Sequence, residues 1–250
     1  MKKRILTVLL TAVLLTAVLV LTLAGCRKGS PVRLPEADYW ITFTEEYVKK
    51  DGNSLKLMYP EISGYADAHV QSEINRLAAE FAFEMYTKLG LMADEDDGYS
   101  YTAMEAVTLL STKEFYSVYI SGTVESNAGG DPAFFAYTVN ADLRNAVLLR
   151  TEDIVSDYES IRKEFLDGVF TPDFGTEEPE QNFTRQSLIE QYKHEYGIYP
   201  FVFFREGQFG LILETLPSLG GCAGYQSDIR DVRSYLNTEN PVIAMLCGVE

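Results

Sequence analysis

The chain has 250 residues, a formal net charge of −16 and two histidines, and 46% of it is hydrophobic. That length suits one large domain or two small ones, and the hydrophobic share can fill a sizeable core. The acidic balance argues against nucleic acid and anionic lipid as partners of the folded body.

Lys2, Lys3 and Arg4 open the chain, and Ile5 to Leu23 carry only Leu, Val, Ala, Ile and Thr. A positive start before an apolar core is the layout of an export signal. The run is also nearly long enough to cross a bilayer, so an uncleaved anchor is the competing reading. Leu23-Ala24-Gly25-Cys26 weighs against it, because this stretch resembles the bacterial lipoprotein box. There the cysteine thiol receives a diacylglyceryl group and the signal peptide is cut just before it. The resemblance implies a signal peptide over 1–25 and a lipidated Cys26 on the extracytoplasmic face of the cell membrane. Stable anchoring takes about two acyl chains, at roughly 0.8 kcal/mol per buried methylene. Residues 26–36, with Gly29, Ser30, Pro31 and Pro35, read as a tether.

Beyond the tether, Tyr39 to Val48 and Ser54 to Met58 read as strands joined at Lys50-Asp51-Gly52-Asn53, a hairpin signal. A helix follows, capped by Asp67, with Val70, Ile74, Leu77, Phe81 and Met85 at helical spacing and Gly90 as its stop. Ser100 to Ser111 and Lys113 to Ser126 alternate as two long strands, and Ala133 to Asn140 with Asn145 to Arg150 as another hairpin. Ser156 or Asp157 caps a helix using Ile161, Phe165 and Val169. Thr171 to Asn182 reads as an acidic loop, Arg185 to Tyr196 as a helix stopped by Gly197, and Tyr199 to Thr215 as a hairpin turning at Glu206-Gly207. Asp228 to Leu236 is a short helix or an edge strand. The expected fold class is α+β, mainly antiparallel sheet with two or three packed helices.

Candidate chemistry is sparse. No G-x-S-x-G elbow, S-x-x-K, P-loop or dinucleotide-binding glycine fingerprint occurs. His69 and His194 stand in no metal-binding arrangement. Asp94-Glu95-Asp96-Asp97-Gly98, with Glu105 at the twelfth position from Asp94, imitates a calcium loop, but its glycine falls one place early. An acidic turn is the simpler reading. Cys222, in the glycine-rich loop LGGCAGY, and Cys247, in the apolar C-terminal run IAMLCGVE, leave two states open: a disulfide, which an extracytoplasmic location permits, or two packed thiols. Tyr99, Tyr101, Tyr116, Tyr119, Tyr137, Tyr196, Tyr199 and Tyr225 offer sugar-stacking platforms or ordinary half-buried strand residues. No catalytic residue, metal ligand or cofactor is assigned.

Tyr59, Pro60, Ile62, Gly64, Val70, Ile74 and Asn75 resemble the opening of a domain of unknown function found in front of PdaC-type peptidoglycan deacetylases. AYTVNADLRNAVLLRTEDIV, FFREGQFGLILE and CAGYQSDI are similar to the companion domain of RsiV-type anti-sigma factor ectodomains. The resemblances divide the body into 37–128 and 129–250 and cover most of Tyr39 to Leu236. Made of packing and turn residues, they speak to fold more than to activity. They imply an ectodomain linked to the cell wall, without the deacetylases' separate catalytic domain. The RsiV-type proteins bind lysozyme outside and a sigma factor inside; with only Met1 to Arg4 before the apolar run, no sigma-binding segment is expected. The function expected is a non-enzymatic, lipid-anchored binding or sensing module for peptidoglycan or a cationic, lysozyme-like wall protein. The alternative is a cell-wall hydrolase using paired carboxylates, which need no motif.

Overall fold

The alternating stretches of the body resolve into three antiparallel sheets. The computed structural model describes residues 34–50, 53–88, 99–126, 133–174, 185, 200–214 and 222–249, and Arg33–Glu250 form one unit. The first sheet is a ribbon of β1 (Trp40–Lys50) and β2 (Asn53–Ser63). The second has the order β3 (Tyr99–Ser111), β4 (Phe115–Ser126), β5 (Ala133–Asp142), β6 (Val147–Leu149). The third runs β7 (Thr171–Phe174), β10 (Cys222–Asp228), β9 (Gln208–Glu214), β8 (Phe201–Arg205). Pairing of β4 with β5 crosses position 128/129.

Helix α1 (Ala68–Lys88) starts where Asp67 Oδ1 accepts from the His69 and Val70 N–H groups, at 2.9 and 3.2 Å. Its buried face is Ile74, Ala78, Ala82 and Met85, so two alanines complete the stripe that the larger residues announce. Burying a side chain such as Ile74 contributes about 1.5–3 kcal/mol. Asn75 fastens the helix to β2: its Oδ1 accepts from Ile62 N–H at 2.8 Å and its Nδ2 donates to Ile62 O at 3.0 Å. The side-chain amide thus imitates a neighbouring strand at a position where the two-stranded ribbon has none. Together with buried Tyr59, Pro60 and Ile62, this clamp gives the Tyr59-to-Asn75 pattern its physical meaning.

The short helices are α2 (Thr151–Ile154), α3 (Tyr158–Leu166), α4 (Ile229–Val232) and α5 (Pro241–Cys247). Asp157 caps α3, accepting from Ser160 N–H at 3.0 Å, and Val169 lies beyond the helix end. Asn240 caps α5 through Val242 N–H and Ile243 N–H, and Gly248 ends it at φ 63°. Two expectations need correction. Cys222, expected in a glycine-rich loop, opens the interior strand β10, which lies between β7 and β9. Thr171–Phe174, expected in a loop, is a strand whose Pro172 is tolerated because β7 lies at the sheet edge. Between the two readings left open for Asp228 to Leu236, the helical one holds, as α4 and a 3₁₀ turn, Arg233–Tyr235.

Two cores fill the unit. One gathers α1, the ribbon and β4–β5 around Ile74, Tyr116, Val118 and Tyr137; the other gathers Phe165, Phe170, Phe204 and Phe209 with Val242 and Leu246. Where the large sheets meet, β8 is set edge-on against β3, β4 and β5. Val202 O accepts from Thr138 Oγ1 at 2.7 Å and Asn140 Nδ2 at 2.8 Å, and Phe204 N–H donates to Ser117 Oγ at 3.1 Å. Pro200 O accepts from Thr151 Oγ1 at 2.7 Å. These buried polar side chains occupy the edge that another strand would otherwise take.

Candidate ligand-binding surface

The ribbon presents what the body hides. Register pairs Trp40 with Ser63, Thr42 with Glu61 and Thr44 with Tyr59, and opposed residues share a face. That face therefore carries Trp40, Thr42, Thr44 and Glu46 along β1 and Ser63, Glu61, Tyr59 and Leu57 along β2, of which Tyr59 and Leu57 are buried in the first core. Trp40 is the chain's single tryptophan and is 69% exposed. Gly64 holds it: a Cβ there would lie 2.5 Å from Trp40 Cζ3, and its φ of 79° also favours glycine. The indole therefore rests on bare backbone, with most of its surface in water.

Beyond the ring, polar groups are tied in sequence. Thr42 Oγ1 donates to Glu61 O at 3.4 Å, and Thr44 Oγ1 to Glu61 Oε2 at 2.6 Å. Tyr59 donates its hydroxyl to Glu46 Oε2 at 3.0 Å. Burial, reinforced by that hydrogen bond to the carboxylate, pushes the Tyr59 phenol up to about 12. The ribbon's base is anchored next to the indole: Tyr39 donates to Phe115 O at 3.2 Å and accepts from Ser111 Oγ at 3.2 Å, and burial raises it to about 12. An exposed aromatic ring continued by hydroxyls and carboxylates suits a chain of sugar rings, which stack by their C–H faces and hydrogen-bond by their rims.

The tyrosines singled out by alternation are mostly elsewhere. Tyr116, Tyr137 and Tyr225 are core residues, and Tyr137 donates to Met58 O at 2.7 Å. Tyr119 is partly buried against Cys222, Oη to Sγ 3.5 Å, and burial raises its phenol well above the ordinary tyrosine value. The side chains of Tyr99 and Tyr101, and Tyr196 and Tyr199 altogether, lie outside the described residues, as do Cys26, His194 and Asp94 to Gly98. Glu105 sits within β3, and His69 is exposed in the first turn of α1. Cys222 and Cys247 are not joined: Cys222 packs against the first core, whereas Cys247 is a buried thiol of the second. Among the described residues no group of three or more His, Cys, Asp or Glu side chains could hold a metal ion. No helix among them is long and apolar enough to cross a membrane.

A depression of about 290 Å³ lies at the start of α3, lined by Thr151, Glu152, Val155, Ser156, Asp157, Tyr158 and Glu159. One of its lining carboxylates, Asp157, is committed to the fold. Asp157 accepts from Ser160 N–H and, at 2.7 Å, from Ser160 Oγ, which holds it below the usual carboxylate range. Trp40 is the residue that sequence reasoning passed over. Its only signal was a large aromatic in the alternating run, with a glycine 24 positions on where the ribbon returns.

No family model matches the chain, and no curated protein matches it. Among solved structures it resembles a DUF3298 family member from Bacteroides fragilis at 12% identity and a TM-score of 0.50, over 86% of this chain and 99% of that one. The likeness is one of fold. A DUF3298 family protein from Pseudomonas aeruginosa aligns at 11% identity and a TM-score of 0.47, over 84% and 97% of the two chains. The α+β architecture expected from the sequence is thus shared with a domain of unknown function.

Proposed function

We propose that this chain is a lipid-anchored, extracytoplasmic binding or sensing module for a cell-envelope ligand, and that the ligand is a glycan such as peptidoglycan. Trp40 on Gly64 carries the reading. An indole left 69% exposed forgoes burial, and pinning it against backbone is what a stacking platform needs. Leu23-Ala24-Gly25-Cys26 supports an anchor at the membrane surface, and the similarity of Tyr59 to Asn75 to a deacetylase-associated domain supports a setting near the wall. A lysozyme-like protein is the other ligand such a module would take, and the acidic body would suit it.

The test is retention of the full chain, purified in detergent, on insoluble peptidoglycan and on immobilised lysozyme, at low and raised salt. Salt-resistant retention on peptidoglycan that is lost in Trp40→Ala supports stacking. Retention on lysozyme alone, weakened by salt and indifferent to Trp40→Ala, moves the reading to a protein ligand. Release of soluble muropeptides would replace it with the hydrolase.

A further inference from the structure

We infer that the ribbon face selects glycans bearing free amines, glucosamine units whose nitrogen is not acetylated, over their N-acetylated counterparts. This deepens the glycan reading and rests on it. From Trp40 to Glu46 the face spans six strand steps, about 20 Å at roughly 3.3 Å per residue, so one ligand chain can touch the ring at one end and carboxylates farther along.

The chemistry past the ring is anionic. Glu61 takes one hydrogen bond from Thr44, and Glu46 takes one from Tyr59. A carboxylate has about four acceptor sites, so both keep unused acceptor capacity. Neither is ion-paired among the described residues. On the opposite face the situation differs: Glu45 is neutralised by Lys56 at 2.8 Å. Among the described residues, the carboxylates on the indole's face are therefore without an ion pair, whereas Glu45 on the other face has one.

A glucosamine unit meets this surface with a protonated amine, which donates to a carboxylate and is attracted to the face of an indole. Acetylation removes the charge and replaces the ammonium donors with one amide N–H. Because each contact is exposed and modest, the expected preference is about tenfold.

The experiment titrates the full chain with oligomers of glucosamine and of N-acetylglucosamine of equal length, at low and raised salt, with oligolysine as a charge control. The glucosamine oligomer should bind about tenfold tighter at low salt, with the advantage shrinking as salt rises. Glu46→Gln with Glu61→Gln should remove the advantage and spare binding of the acetylated oligomer, whereas Trp40→Ala should weaken both. Circular dichroism confirms that the variants are folded. Equal affinity for the two oligomers, still sensitive to Trp40→Ala, overturns the amine preference and leaves the glycan reading standing. Oligolysine binding as tightly, unaffected by Trp40→Ala, also overturns it, because the surface then reads charge alone. Binding of neither oligomer by folded protein overturns both.

Discussion

Gly64 and Gly210 each lie beneath an aromatic ring, one on the ribbon and one inside the body. At Gly210 a Cβ would meet the Phe203 ring at 2.0 Å, and Phe203 is fully buried. At Gly64 the ring is that of Trp40, most of which is in solvent. The same local device closes a core in one region and displays a surface in the other. The difference lies in what covers the ring's second side. For Phe203 it is packed protein, for Trp40 water.

Adding one methyl group to each glycine is the sharpest way to break the comparison. Gly210→Ala should cost about 3 kcal/mol, the upper end for overpacking a filled core, read as a lower urea midpoint; an unchanged midpoint would mean the sheet yields around Phe203. Asn75→Ala should cost about 2 kcal/mol, because both polar groups of Ile62 lose their partner. Gly64→Ala should cost only about 1–2 kcal/mol, mostly from its left-handed backbone, since the indole can swing into solvent. Its main effect should be a changed fluorescence from the single tryptophan and loss of glycan retention. A large stability loss without a fluorescence change would contradict the platform.

The smallest effect concerns the second core at alkaline pH. Burial pushes the Cys247 thiol from 9.0 up to about 11. The unfolded chain releases this proton first, so the thiol's contribution is complete below pH 9 and is lost as pH rises through 11. The difference in unfolding free energy between wild type and Cys247→Ala should decline across that window. A flat difference would mean that the thiol is hydrated in the folded protein.

Periodicity made much of this fold legible. The cap at Asp67, the stripe from Val70 to Met85 and the hairpins at 111–115 and 205–208 follow from local preference and alternation, which survive without knowledge of neighbours. Strand β10 did not, because Cys222 stands among glycines, and such a stretch reads as loop until β7 and β9 are placed on either side. Tyr116 and Trp40 show the same limit for the surface. Both stand in alternating runs, and only the packing of α1 and the other strands decides that the tyrosine is enclosed and the tryptophan displayed. The pattern from Tyr59 to Asn75 was visible as a pattern, whereas its meaning, a side-chain amide bonding both sides of Ile62, required coordinates.

The edge-on seat of β8 has a consequence for how copies of this chain can meet. An uncovered edge strand invites a second chain to extend the sheet. Here Val202 O and Phe204 N–H are already engaged by Thr138, Asn140 and Ser117. Growth of the β7–β10–β9–β8 sheet by strand addition is therefore closed at the β8 side, and copies of the chain cannot join through it without first separating the two large sheets.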